Sequence, residues 1–320
     1  MLTGLGICRR FYEDVVRHAI NVPHGAAVLG RGSEVLGYDD AMSTDHNCEA
    51  RVQLFVPDGV ELQPDIPGEF EGRAAYVEMH TVGAYFQQQL GWDVEQEPTA
   101  GEWLTFPEQN LLMMTAGAVF HDDIGLQGVR DRLAYYPDDV WHYLMIAAWW
   151  RVHPEMNLVG RTGFVGDEVG SALIGAQLVQ DLMRLCFLIE RTYAPYSKWF
   201  GTAFGRLSCG PAIGPLLQAV LRSTTWQERE AALAGAYRAV GELHNQLGIT
   251  APVELGVERL WGRPFEVVWG DFPGVLAVGI EDPEVRRLAG RWPVGGIDQV
   301  RNVLHRTADR RHLLGLLESR

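Results

Sequence analysis

The sequence predicts a domain of mixed strands and helices, α/β or α+β, over residues 1–135, followed by an all-helical bundle domain over 136–320. Three observations lead there. As far as about Pro137, short apolar runs that stop at glycine or proline turns alternate with segments of helical spacing. Beyond it, the periodic segments repeat at three- and four-residue steps, the pattern of packed helices. The length of 320 residues accommodates domains of roughly 150 residues, each large enough to bury its own core.

Residues 7–20 place Phe11, Val15, Val16 and Ile20 on one helical face. Ala26–Leu29 is a short apolar run that stops at Gly30-Arg31-Gly32-Ser33, as a buried strand does before a tight turn. Arg51–Val56 alternates polar and apolar residues and ends at Pro57-Asp58-Gly59. Ala74–Thr81 reads as a third strand, leading into a helix over Val82–Leu90 that Gly91 closes. Ala118–His121 reads as a fourth, leaving through Asp122-Asp123-Ile124-Gly125. Strand signals end between Arg132 and Pro137, where the domain boundary is placed.

The second half opens with Asp138–Arg151, acidic in its first turn and apolar nearly all round, as a central helix is. The longest helix is expected over Asp167–Tyr193, with Leu173, Leu178, Leu182, Leu185 and Ile189 as its apolar repeat. Further helices are expected at 211–222 and at 225–247, the latter capped by Thr224 or Thr225 and stopped by Gly248. Shorter ones are expected at 252–261, 282–289 and 297–318.

The charge balance is 27 basic against 41 acidic residues, net −14. Affinity for nucleic acid comes largely from neutralising phosphates, so a polynucleotide partner is disfavoured while one small anionic ligand is not. Lysine occurs once, at Lys198, and every other basic residue is arginine. Cys8, Cys48, Cys186 and Cys209 are far apart and form no CxxC pair, which indicates neither a zinc knuckle nor a disulfide framework. The first twenty residues carry Glu13 and Asp14 and lack a signal-peptide core, and no stretch reaches a membrane-spanning apolar length. The expectation is a soluble cytoplasmic protein without a membrane segment; composition says nothing of its oligomeric state.

Leu29–Val56 is the stretch that points to chemistry. Gly32-Ser33 follows a strand, and Asp45 comes after a spacer of eleven residues, just before the RVQLFV strand. A Gly-Ser turn offers backbone N–H groups and a hydroxyl to a phosphate, and a carboxylate near the next strand can hold Mg²⁺ on the same phosphates. An ordinary glycine-rich loop followed by a polar turn accounts for the local pattern equally well.

The segment resembles the signature of the nucleotidyltransferase superfamily: Gly-Ser, a spacer of roughly nine to thirteen residues, then Asp-x-Asp or Asp-x-Glu. The chain more widely resembles an uncharacterised bacterial family with such an N-terminal domain and a helical C-terminal domain. The matching stretches are GRGSEVLGYDDAMSTDH, YVEMHTVGAYFQQQLG, TAGAVFHDDIG, YYPDDVW and GDEVGSALIGAQLVQDLMRLCFLIERTYAPYSKWFGTAF. The resemblance implies that Asp45 and Glu78 hold Mg²⁺ and that Gly32 and Ser33 meet the phosphates of a nucleoside triphosphate, ATP for preference. It implies transfer of a nucleoside monophosphate to a small-molecule acceptor.

The second acid of the pair falls on Asn47, which coordinates through a neutral oxygen and weakens a Mg²⁺ site. Asp39 and Asp40 are nearby acids without the motif's spacing. The alternative is therefore a catalytically silent nucleotide-binding or scaffold protein with a degenerate site. His46, beside Asp45, is a candidate general base or metal-orienting group. Lys198 is a candidate phosphate ligand or a surface lysine among aromatic packing residues, and Arg191 a second phosphate candidate. His46, His80 and His121 fall near strand ends but match no standard metal spacing, and read as solvent-facing or supporting residues. Asp122, Asp123, Asp138, Asp139 and Asp167 read as turn and helix-start residues. Gly160–Gly166 reads as a loop with Arg161 a candidate anion ligand.

Overall fold

The computed structural model describes residues 4–38, 49–291 and 293–300. They divide between Tyr135 and Tyr136 into two compact units.

The first unit contains α1 (Gly4–Asp14), β1 (Gly25–Val28), α2 (Ser33–Leu36), β2 (Ala50–Phe55), β3 (Glu69–Phe70), β4 (Arg73–His80), α3 (Val82–Leu90), α4 (Ala100–Thr105), α5 (Glu108–Thr115), β5 (Ala118–Asp122) and α6 (Leu126–Arg132). The strands form one mixed sheet in the order β3-β4-β2-β1-β5. β1 is antiparallel to β2 and β5, whereas β2 and β4 are parallel. The expected helix over 7–20 ends at Asp14 and continues as a short 3₁₀ turn over Val16–Ala19. The break falls at Val15 (φ −126°), where two β-branched residues follow each other and fit the helical backbone poorly.

Alternation within the strands sorts the two faces. Ile7, Phe11, Tyr12 and Val16 pack on Ala26, Val52, Leu54 and Ala75, which covers one face of the sheet with α1. Arg51, Gln53 and Phe55 point the other way, where Phe55 meets Tyr85 of α3 edge-on at 5.2 Å. Helices thus lie on both faces and β2 is buried along its whole length, polar residues included. The helices at 100–115 were not expected from hydrophobic spacing. Yet α4 carries a complete capping box, Thr99 accepting from Glu102 N–H while Glu102 reaches back to Thr99 N–H.

Asp122 closes β5 and opens α6 by accepting from the N–H groups of Ile124 (3.1 Å), Gly125 (2.9 Å), Leu126 (3.0 Å) and Gln127 (2.9 Å). Burial would raise its carboxyl, but these donors outweigh burial and hold it below the usual carboxylate value. Asp122→Ala is expected to cost about 1–2 kcal/mol in urea unfolding at neutral pH. Because the folded value is depressed, the stabilisation is present above the unfolded value near 3.8 and is lost as pH falls through the folded one. The gap between wild type and variant should therefore close on acidification.

The second unit contains α7 (Asp138–Val152), α8 (Leu158–Phe164), α9 (Glu168–Ile189), α10 (Ser197–Phe204), α11 (Gly210–Arg222), α12 (Trp226–Gln246), β6 (Gly256–Arg259), β7 (Glu266–Trp269), α13 (Phe272–Val278), α14 (Pro283–Arg291) and α15 (Ile297–Val300). α7 is the central helix, with Trp141, Tyr143 and Trp149 fully buried and Trp149 stacked on Phe272 at 3.9 Å. Asp167 caps α9 through Gly170 N–H, and Thr225 with Glu228 forms the capping box of α12. By length and hydropathy α9 could cross a membrane, but over half of its apolar window is buried within the protein, as in a core helix.

Two expectations fail in this unit. Gly160–Gly166 is not a loop, because its first five residues belong to α8. Its glycines serve close helix contact: a Cβ would fall 2.2 Å from Glu230 Oε1 at Gly160 and 2.2 Å from Trp226 Cβ at Gly163. The helix expected at 252–261 is an antiparallel hairpin, β6 against β7, with Gly256 opposite Trp269. Val253, Leu255 and Val257 alternate with other residues at a period of two, which is a strand pattern.

Candidate functional site

β1 and β2 are antiparallel with Ala27 opposite Gln53, so the chain leaves β1 and enters β2 at one end of the sheet. Gly30 (φ +85°) and Gly32 (φ +131°) hold the turn after β1 in conformations that glycine alone tolerates well. A Cβ on Gly32 would lie 2.2 Å from Glu34 Oε1, so no side chain fits there. Ser33 begins α2, which is a single turn and too short to contribute an appreciable dipole. The charges on side chains therefore set the local field.

Arg51 and Glu34 provide the strongest of these. Arg51 Nη2 donates to Glu34 Oε1 (2.9 Å) and to Arg31 O (2.7 Å), and both side chains are more than nine-tenths buried. Burial alone would lower the guanidinium, but the Glu34 carboxylate outweighs it and holds Arg51 above its ordinary value. The pair anchors the Gly30–Ser33 turn to the middle strand of the sheet.

Gln53 makes the second anchor. Its Oε1 accepts from Leu29 N–H at 2.8 Å, and its Nε2 donates to Glu78 Oε2 and to Tyr85 Oη, each at 3.3 Å. Burial pushes the Tyr85 hydroxyl up to about 12, so it stays neutral. Glu78 lies directly opposite Gln53 in the parallel β2–β4 register. His80 Nε2 stands 3.6 Å from Glu78 Oε2, an ion-pair distance rather than a hydrogen bond. The imidazole foremost, then the Gln53 amide and Arg51, hold the Glu78 carboxyl below its ordinary value against the opposing effect of burial. With 40% of its side chain exposed, Glu78 is an anionic oxygen donor that a ligand can reach.

Gly32, Ser33 and Glu78 are thus joined through Gln53 and Arg51. Asp45, His46 and Asn47, with Asp39 and Asp40, lie outside the described residues. Lys198 and Arg191 belong to the second unit. Arg191 is already committed: its guanidinium pairs with Asp138 Oδ1 at 2.5 Å and lies 3.8 Å over the Trp141 ring. It ties the end of α9 to the start of α7. Lys198 stands in the first turn of α10, with Nζ 4.8 Å over the Trp199 ring. Asp139 accepts from Glu281 and Asp282 N–H groups, and Glu168 pairs with Arg229 at 3.2 Å.

Hydrophobic spacing missed Arg51, Gln53 and Tyr85. The available signal was the two polar residues in RVQLFV, which read as a wet strand face until helices are known to cover both sides.

A family model described as "Domain of unknown function (DUF4037)" matches residues 103–200. No curated protein matches the chain. Among solved structures, the chain is similar to a nucleotidyltransferase-like protein from Exiguobacterium sibiricum 255-15, at 12% identity and a TM-score of 0.32. That likeness covers 82% of this chain and 97% of the other.

Proposed function

We propose that this chain transfers a nucleoside monophosphate from a nucleoside triphosphate, ATP in the first instance, to a small-molecule acceptor. The observation that carries the reading is the double grip of Gln53, which ties the residue opening the Gly-Ser turn to the Glu78 carboxylate. A phosphate-contacting turn and an anionic oxygen donor, held in fixed relation by a buried amide, are what positioning catalysis on phosphates requires.

The donor chemistry fits Mg²⁺, since Glu78 is deprotonated, exposed and offers hard oxygen ligands. Asp45, Asn47 and Glu78 would hold the ion, and Mg²⁺ would supply charge neutralisation for the triphosphate. The chain's own residues orient the reactants. Gly32 would offer its backbone N–H and Ser33 its hydroxyl, while His46 would take the proton from the acceptor's attacking hydroxyl. The net charge of −14 favours a metabolite acceptor over a polynucleotide.

Titration calorimetry with ATP and Mg²⁺ tests this. Asp45→Ala and Glu78→Ala are each expected to weaken Mg²⁺-dependent binding by more than about tenfold. Unchanged binding in both variants would refute the assignment. Asn47→Asp should raise the rate of pyrophosphate release, because it restores a charged ligand.

A further inference from the structure

The opposite end of β1 carries a second cluster of ligating side chains. His24 immediately precedes β1, while His121 and Asp123 lie at the end of β5. One ligand atom from each lies within 4.8 Å of the others. The Gly30–Ser33 turn is separated from His24 by the length of β1, on the order of 15 Å at the rise of a strand. We propose that His24, His121 and Asp123 form a site for a first-row divalent transition-metal ion, Zn²⁺ in the first instance, distinct from the nucleotide site.

A β-bulge creates the juxtaposition. Ala27 pairs with Val119 but Ala26 pairs with His121, so Phe120 is the extra residue. Strict alternation from Val119 would send His121 to the face away from α1. The bulge returns it to the α1 side, with its ring 4.6 Å from His24 and 6.1 Å from Tyr12. Re-aiming one side chain is a recurrent use of bulges.

The donors are prepared for a metal. His24 is 6% exposed, and its Nδ1–H donates to Val22 O at 2.9 Å, which leaves the lone pair on Nε2. The Tyr12 hydroxyl donates to that lone pair at 3.0 Å and is the group an incoming ion displaces. His121 Nε2 and Asp123 Oδ2 are 2.7 Å apart. Tetrahedral Zn²⁺ with bonds of ~2.0–2.2 Å spaces its donors at roughly 3.4 Å. Small side-chain rotations open the close pair and draw in the wider ones. His121 and Asp123 are 31% and 47% exposed, which leaves a path for the ion and a fourth position for water. The charged groups around Tyr12 are Arg17, Asp123 and Glu13, one cation and two anions. Two imidazoles with one carboxylate suit Zn²⁺, Co²⁺ or Ni²⁺, whereas Mg²⁺ prefers oxygen donors.

Chelator-treated full-length protein would be titrated with Zn²⁺ by calorimetry and with Co²⁺ by visible d–d absorption. Wild type is expected to bind one equivalent of Zn²⁺, with a tetrahedral Co²⁺ spectrum and no competition from Mg²⁺. His121→Ala and Asp123→Ala should each weaken binding by more than about tenfold. Tyr12→Phe, which frees the His24 lone pair, should bind no more weakly than wild type. Glu78→Ala should bind normally, so failure at the nucleotide site and failure here are distinguishable. Absence of saturable binding, or wild-type affinity in both His121→Ala and Asp123→Ala, would overturn the proposal.

Discussion

Arg51→Met is expected to lower stability by about 3–5 kcal/mol, because it removes the guanidinium that pairs with the buried Glu34 carboxylate. Glu34 and Arg51 have side-chain exposures of 5% and 8%, and Arg51 also bonds the Arg31 carbonyl. Glu34→Gln alone leaves a buried guanidinium facing a neutral amide and is also expected to be costly. The double variant removes both charges, and its cost should fall well below the sum of the two single costs. Urea unfolding of the four proteins measures this cycle. Additive single costs would show that the pair does not anchor the turn. The same variants bear on the nucleotide site, since the Gly30–Ser33 turn loses its tie to β2 when Arg51 is removed.

Glu230→Gln is expected to stabilise the protein by about 2 kcal/mol at pH 8 and to have little effect near pH 4. Glu230 is 7% exposed, and its Oε1 lacks a hydrogen-bond partner among the described residues. Burial pushes its carboxyl up to about 7, against the Glu266 N–H that favours the anion. The folded value lies above the unfolded one. Stability is therefore greatest below the unfolded value near 4.5 and declines as pH rises towards 7, where the folded state must accept a buried anion. Glutamine keeps the shape and never ionises. Subtracting the wild-type pH profile from that of the variant isolates this one group, and a pH-independent difference would sink the argument. Space is closed around it, since Gly160 packs so near that a Cβ would clash with Oε1.

Much of the architecture was legible. Apolar runs that stop at turns marked β1, β2, β4 and β5 to within a residue or two, and Val82–Leu90 was read at its observed limits. These elements are governed by local periodicity and by glycine or threonine at their ends, all visible along the chain. The hairpin β6–β7 was misread because a short apolar segment fits either period until its partner strand is known. Gly160 and Gly163 misled for another reason. A glycine that frees the backbone for a turn and one that admits a neighbouring helix look alike in sequence.

By itself, the sequence determined which residue types were present for chemistry: a Gly-Ser turn, an acid before β2, Glu78 in β4 and a lone lysine. It also determined that the second acid of the motif is absent at Asn47. Tertiary structure decided what those residues touch. It made Arg51 and Gln53 buried anchors, because helices on both faces deny β2 a wet side and turn its polar side chains to internal partners. It committed Arg191 to Asp138 and Trp141, and through one bulged residue it brought His121 to His24. Spacing along a chain sets the face on which a side chain lies, but its partner comes from elements remote in sequence, and packing alone brings them together.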